Sequence, residues 1–156
     1  MRIIAIDPGN VQSAYVLMED YKPVEFDILP NYEIKDYLIH RQSCDGYDNH
    51  VVIEMIGHYG TGMPAGKTVF DTCVWIGRFS EVAGYASLIL RPTVKAHLCG
   101  SAGAKDGNVR QALIDRFGVV GTKKDPGWFY GFHADIWQAY AVGVTYVDRG
   151  NDACVD

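Results

Sequence analysis

No part of the chain strings together the roughly 20 apolar residues that a bilayer span needs. The opening apolar stretch, Ile3 to Ile6, is too short for a secretory core segment and has no small-residue cleavage site after it, so the expected location is the cytoplasm. Cysteine is scarce and scattered: Cys44, Cys73, Cys99 and Cys154 form no C-x-x-C pair and have no histidine at a zinc-ligand spacing. That disfavours a zinc site and favours reduced thiols in core or loop positions. Internal repeats and low-complexity segments are missing as well, which disfavours a repeat architecture. An excess of positive charge is also lacking, for the formal net charge is -5, which at first disfavours a nucleic-acid partner.

The distribution of charge reverses that impression. Between Lys67 and Lys124 nine Lys or Arg face four acids, a local balance of +5, whereas the rest carries five basic and fifteen acidic residues. A basic middle third on an acidic chain is what a one-sided phosphate-binding surface looks like in sequence; charges scattered over solvated faces are the alternative. With 156 residues the chain is expected to form one domain over residues 1–148, followed by a frayed tail over 149–156.

Arg2 to Asp7 reads as a strand stopped by Pro8-Gly9-Asn10. Strands at Ser13 to Met18 and about Val24 to Leu29 follow after short turns, which favours an antiparallel meander. A weak helical pattern covers 32–41, then a polar loop leads to the short buried strand Val51-Val52-Ile53-Glu54. A Gly-rich loop from Gly57 to Gly66 precedes a helix from Lys67 to about Ala83, and Ala86 to Leu90 reads as a fifth strand. A short helix is expected over 93–98, and another from Asp106 or Asn108 to Phe117, ending at Gly118. After an aromatic loop, a last helix is expected from near His133 to about Val147, its stripe of Ile136, Ala139, Tyr140, Gly143 and Val144 facing a core. The resulting class is α/β: a five-stranded mixed sheet, its first three strands antiparallel, flanked by helices.

Two strands of this order end in acids. A carboxylate closing a buried strand is costly unless water, a cation or a donor meets it. If the strands are neighbours, Asp7 and Glu54 converge, and Asp135 in the first turn of the last helix supplies a third carboxylate, with His133 beside it. Hard oxygen donors clustered in this way repel one another unless a divalent cation sits among them, and Mg²⁺ or Mn²⁺ suits such a set. Two such ions would activate a water and stabilise the departing 3′-oxygen of a phosphodiester. Taken singly, each acid has a plainer explanation as a turn or helix cap.

The segment Ile4-Ala5-Ile6-Asp7-Pro8-Gly9-Asn10 is similar to the first-strand motif of the RuvC-like Holliday junction resolvases, members of the RNase H-like superfamily. Val51-Val52-Ile53-Glu54 resembles their second acidic motif, and His133-Ala134-Asp135-Ile136-Trp137-Gln138-Ala139-Tyr140 their C-terminal one. The stretch from Val94-Lys95 through Lys105-Asp106 to Val109 is similar to the family's lysine-bearing segment. The likeness runs over about residues 2–147 and suggests the short bacteriophage-type variant. It implies an RNase H-like fold, a homodimer, a bacterial host cytoplasm, and Mg²⁺-dependent paired nicking of four-way junctions. It further implies Asp7, Glu54 and Asp135 as metal ligands.

Two departures from the family pattern stand out. Three residues before the helix acid, where the family has Asp or His, this chain has Phe132, with His133 the nearest candidate ligand. Three residues after Glu54, near where the family has an aromatic, stands Gly57, and Tyr59 is the nearest ring. The choice between a junction resolvase and a less selective nuclease for branched or single-stranded DNA therefore stays open. Lys67, Lys95 and Lys105 would border the acids in the family topology, with Lys105 placed to offset charge on the scissile phosphate. Arg110, Lys123, Lys124 and Tyr59 complete the expected DNA contacts. Trp128-Phe129-Tyr130 would either stack on bases or fill the hinge before the last helix. Two other classes compete: a half of an actin-like or sugar-kinase ATPase, for which the chain is too short, and a catalytically silent DNA-binding relative.

Overall fold

A computed structural model of the chain describes residues 1–44, 49–57 and 66–155, with only the backbone of Cys44. One mixed sheet runs through it in the order β3-β2-β1-β4-β5. Strands β1 (Arg2–Asp7), β2 (Gln12–Glu19) and β3 (Lys22–Pro30) form the expected antiparallel meander. Helix α1 (Asn31–Cys44) carries the chain back, so that β4 (Asn49–Met55) lies parallel to β1. Helix α2 (Lys67–Val82) does the same for β5 (Ala86–Leu90) beside β4.

The central strands read as continuous apolar runs because both sheet faces are covered. Ile4, Ile6, Val51 and Ile53 point to one side, where Ile34 and Leu38 of α1 and Trp75, Ile76 and Phe79 of α2 meet them. Ile3, Ala5 and Val52 point to the other side, against helix α5 (Ile136–Arg149). Helices α3 (Arg91–Cys99) and α4 (Asp106–Phe117) pack on α5 in turn. Every residue of α5 from Ile136 to Tyr146 is therefore buried, a wider burial than the single stripe the sequence predicts. Gly143 permits this closeness: a Cβ there would lie 2.3 Å from Met18 Sδ and 3.0 Å from Ala5 Cβ.

Three boundaries differ from the sequence reading. Helix α5 begins at Ile136 because Ala134 sits at φ 42°, a left-handed conformation that no continuing helix can contain. Helix α3 begins at Arg91, with Pro92 in its first turn, where a missing N–H costs nothing. The segment expected as a frayed tail from residue 149 carries local structure. Gly150–Ala153 forms a 3₁₀ turn, Cys154 bridges antiparallel to Ile89, and the Val155 amide donates to the Leu88 carbonyl at 2.9 Å. Strand β5 is otherwise an open sheet edge, and this segment covers part of its unpaired backbone.

Candidate active site

The pairing of β1 with β4 ends at Ile6 and Ile53, so Asp7 and Glu54 are the next residues along two neighbouring parallel strands. Side chains alternate along a strand, and Ile6 and Ile53 face α1 and α2. Asp7 and Glu54 thus fall on the α5 side, where Asp135 stands as the N-cap residue of α5. The residue that turns the chain away from Asp7 is fixed from beneath. The Gly9 amide donates to Ser13 Oγ at 3.1 Å, the Ser13 hydroxyl donates to Asn31 Oδ1 at 2.6 Å, and Asn31 Nδ2 donates to the Gly9 carbonyl at 2.9 Å. Ser13 and Asn31 are both buried. Gly9 admits no side chain, since a Cβ would sit 2.3 Å from the Gln12 carbonyl oxygen.

Glu54 is buried but not alone. Arg91, the first residue of α3, donates from Nη1 to Glu54 Oε1 at 2.8 Å and from Nη2 to Asp106 Oδ1 at 2.8 Å. Lys95 Nζ lies 3.2 Å from the same Asp106 oxygen. Asp106 opens α4, where a carboxylate is favoured by the helix dipole.

These groups set one another's charge. Burial, and then the Glu54 carboxylate, push the Asp7 carboxyl well above its usual range; Arg91 opposes this, while Asp135 and Asp106 add to it. Burial likewise raises Glu54 against the pull of Arg91. Asp106, although partly desolvated, is held below its ordinary value by Arg91 and Lys95. Arg91, itself partly desolvated, is held more firmly protonated by Glu54, Asp106 and Asp7.

Asp7 and Glu54 are therefore an electrostatically linked pair at the carboxyl ends of the parallel strands, and Asp135, exposed at the start of α5, adds its charge to Asp7. His133 is exposed, with Nδ1 3.0 Å from the Gly131 carbonyl. It lines a cleft of about 420 Å³ together with Asp106, Arg110, Phe132 and Trp137, whereas Asp7, Glu54 and Asp135 do not line it. Phe132 is buried among Phe129, Trp137, Tyr140 and Phe26 and offers no ligand atom. Lys105 is exposed as the N-cap residue of α4, and Arg110 lies over the Trp137 ring at 4.9 Å. Lys67 is exposed and paired with Asp71 at 2.5 Å. Lys123 and Lys124 are exposed in the loop ahead of α5, and Tyr59 lies outside the described residues. Of the aromatic trio, Phe129 fills the core, whereas Trp128 donates to the Tyr140 hydroxyl at 3.0 Å and stacks on Phe117.

The basic middle third is only partly a free surface. Arg91 and Lys95 spend their charge on the acids, Arg116 grips Asp148, and Arg78 lies over Trp75. Sequence reasoning missed Arg91 and the Ser13–Asn31 support, and it took Asp106 as a helix cap only. One signal for Arg91 was present: it follows directly on a strand destined to lie beside Glu54.

The donor chemistry fits a hard divalent cation, for Asp7 and Glu54 are desolvated, Glu54 and Asp135 both repel the charge on Asp7, and all three offer oxygen only. Among the described residues, however, no three His, Cys, Asp or Glu side chains are arranged around a common ion position. In this arrangement the cation that faces Glu54 is Arg91.

No protein-family model and no curated protein matches the sequence. Solved structures do match the fold. A structure of Thermus thermophilus RuvC aligns with a TM-score of 0.64 at 14% identity, over 97% of this chain and 98% of that one. T. thermophilus RuvC in complex with a Holliday junction substrate aligns with a TM-score of 0.66 at 15% identity, over 97% and 96% of the two chains. The chain thus has the RuvC-like, RNase H-like fold over nearly its whole length.

Proposed function

We propose that this chain is a metal-dependent endodeoxyribonuclease that resolves four-way DNA junctions by paired symmetric nicks. The observation that supports the reading is the placement of Asp7 and Glu54 side by side at the carboxyl ends of two parallel strands, with Asp135 close enough to act on the charge of Asp7, on a fold shared with a junction-bound protein. Ligands of open α/β sheets gather at such strand ends. Asp7, Glu54 and Asp135, with His133 at the margin, would hold Mg²⁺ or Mn²⁺, two ions at the fully loaded site. The cations would supply an activated water and charge stabilisation at the departing 3′-oxygen.

The protein's own groups do the rest. Ser13 and Asn31 hold the turn that aims Asp7. Lys105, exposed beside Asp106 at the start of α4, would offset charge on the scissile phosphate. Lys95 and Arg110 flank the same region, and Lys67, Lys123, Lys124 and Tyr59 complete the proposed DNA contacts. Helix α2 leaves Phe70 and Val74, one turn apart, largely exposed, which supports pairing of two copies along that helix as a homodimer. No described helix is long and apolar enough to cross a membrane. A single domain working in a bacterial host's cytoplasm, encoded by a bacteriophage, completes the reading.

A second reading, a less selective nuclease for branched or single-stranded DNA, is favoured by Gly57 three residues after Glu54. The test is to incubate wild type and Glu54→Gln with labelled four-way, flap and duplex DNA, with and without Mg²⁺. Two symmetric cuts in the four-way junction alone, lost in Glu54→Gln, are expected; equal cutting of flaps favours the second reading. Junction binding without cleavage in either Mg²⁺ or Mn²⁺ would indicate a silent DNA-binding relative.

A further inference from the structure

Helices α4 and α5 both begin at the cleft of about 420 Å³: Asp106, Gly107 and, one turn on, Arg110 line it from one helix, Trp137 and Gln138 from the other. Helix N-termini carry partial positive charge and backbone N–H groups short of partners, so two of them at one cleft favour an anion. The side chains agree. Gln138 is only 6% exposed, yet among the described residues nothing hydrogen-bonds its side-chain amide. A buried amide without a partner is costly, and one that lines a cleft is met by whatever fills it. Arg110 is held over the Trp137 ring at 4.9 Å and has no carboxylate partner among the described residues, so its guanidinium donors remain for a ligand. The Asp106 carboxylate lines the cleft too, but Arg91 and Lys95 meet its charge at 2.8 and 3.2 Å. Through Arg91, Asp106 is also joined to Glu54, which sets the cleft beside the acids without including them.

We propose that this cleft is a phosphate subsite separate from the acids, which takes a non-scissile phosphodiester group of the bound DNA strand. Arg110 and the Gln138 amide N–H donate to its oxygens. The phosphate held there does not react, because Asp7, Glu54 and Asp135 do not line the cleft. Its capture fixes the register of the strand against the acids, as phosphate contacts do. Gln138 is thus a positioning residue. This rests on the nuclease reading above.

The test uses four-way junctions that carry one uncharged methylphosphonate at successive backbone positions, with binding measured in a chelator and nicking in Mg²⁺. For wild type, a methylphosphonate at one position away from the cut is expected to weaken binding about tenfold, as loss of a charge-assisted hydrogen bond does. Gln138→Leu, which keeps the bulk, is expected to weaken binding of the all-phosphate junction by a similar factor and to lose little more at that one position. Should that variant fail to fold, Arg110→Gln is expected to show the same coupling. A merely structural role for Gln138 would weaken every junction alike and leave the methylphosphonate effect intact, which would overturn the inference. So would an altered sequence preference of cutting with unaltered methylphosphonate effects, since the amide would then be reading a base edge. Inorganic phosphate that raises the melting temperature of wild type but not of Gln138→Leu, with no coupled position in DNA, would overturn it in favour of a free-phosphate site. A wild type that nicks junctions without any coupled position would leave the nuclease reading standing, whereas one that neither binds nor nicks them would remove both.

Discussion

At Asp7 and Asp148 the same side-chain type is driven in opposite directions by its neighbours. Asp148 accepts both Arg116 Nη atoms at 2.6 and 2.8 Å, lies 2.6 Å from His97 Nε2, and accepts the Tyr21 hydroxyl at 2.8 Å. The Arg116 hydrogen bonds, followed by those from His97 and Tyr21, hold its carboxyl far below the usual range despite some desolvation. A carboxyl depressed in the folded state adds stability that is present above its unfolded value of roughly 4 and is lost as the pH falls below it. Asp148→Asn should therefore lower stability at pH 7 while flattening the acid limb of a urea-midpoint profile below about pH 4. A variant whose acid limb matches that of wild type would refute this assignment. Asp7 is the converse case, a desolvated carboxylate facing Glu54. In the absence of divalent ions, Asp7→Asn should raise the melting temperature by about 2 to 4 °C, as relief of about 1 kcal/mol does in a chain of this size, while abolishing nicking. Differential scanning in a chelator reads the first effect and a junction assay the second. At this scale the acids were legible in the sequence because a charge at the end of Val51-Val52-Ile53 has no bland explanation in a buried strand. Arg91 was not, because its partners come from β4 and α4, separated from it by 37 and 15 positions.

Helix α5 carries the arrangement at the next scale. Its apolar and small residues were readable as a core-facing stripe, whereas the pairing of β1 with β4 stood in the sequence reading only as a condition for Asp7 and Glu54 to converge. The start of α5 was less accessible: local helix propensity extends it back to His133, and only the left-handed turn at Ala134 cuts it at Asp135. The bridge of Cys154 to Ile89 was likewise not legible, since nothing in the polar sequence of the tail announces the open edge of β5. Gly143 is the tightest point of the element. Met18 and Ala5, which a new methyl would meet, are themselves wholly buried and have little room to yield. Gly143→Ala should cost about 1 to 3 kcal/mol in urea unfolding, the range for overpacking a dense core. It should also slow nicking, because it lifts Asp135 together with its helix. A stability loss within about 0.5 kcal/mol would mean that α5 has room to shift.

Across the whole molecule, the sheet places the buried acids Asp7 and Glu54 at one end, where β1 and β4 run side by side and the chain order changes direction. The net charge of -5 conceals this, since much of the basic middle third is turned inward on Glu54, Asp106 and Asp148. What stays exposed near the acids, Lys105 and Arg110, with Lys123 and Lys124 in the loop ahead of α5, is a smaller surface than the sequence suggests. The reading of the molecule as a nuclease depends on Asp135, remote in sequence from the other two acids, acting with them. Single-turnover nicking of a labelled four-way junction by Asp135→Asn, alongside its junction affinity, tests that dependence directly. The rate should fall by at least about a hundredfold while the dissociation constant stays within about threefold, since an interaction made only in the transition state is being removed. An unchanged rate would contradict it.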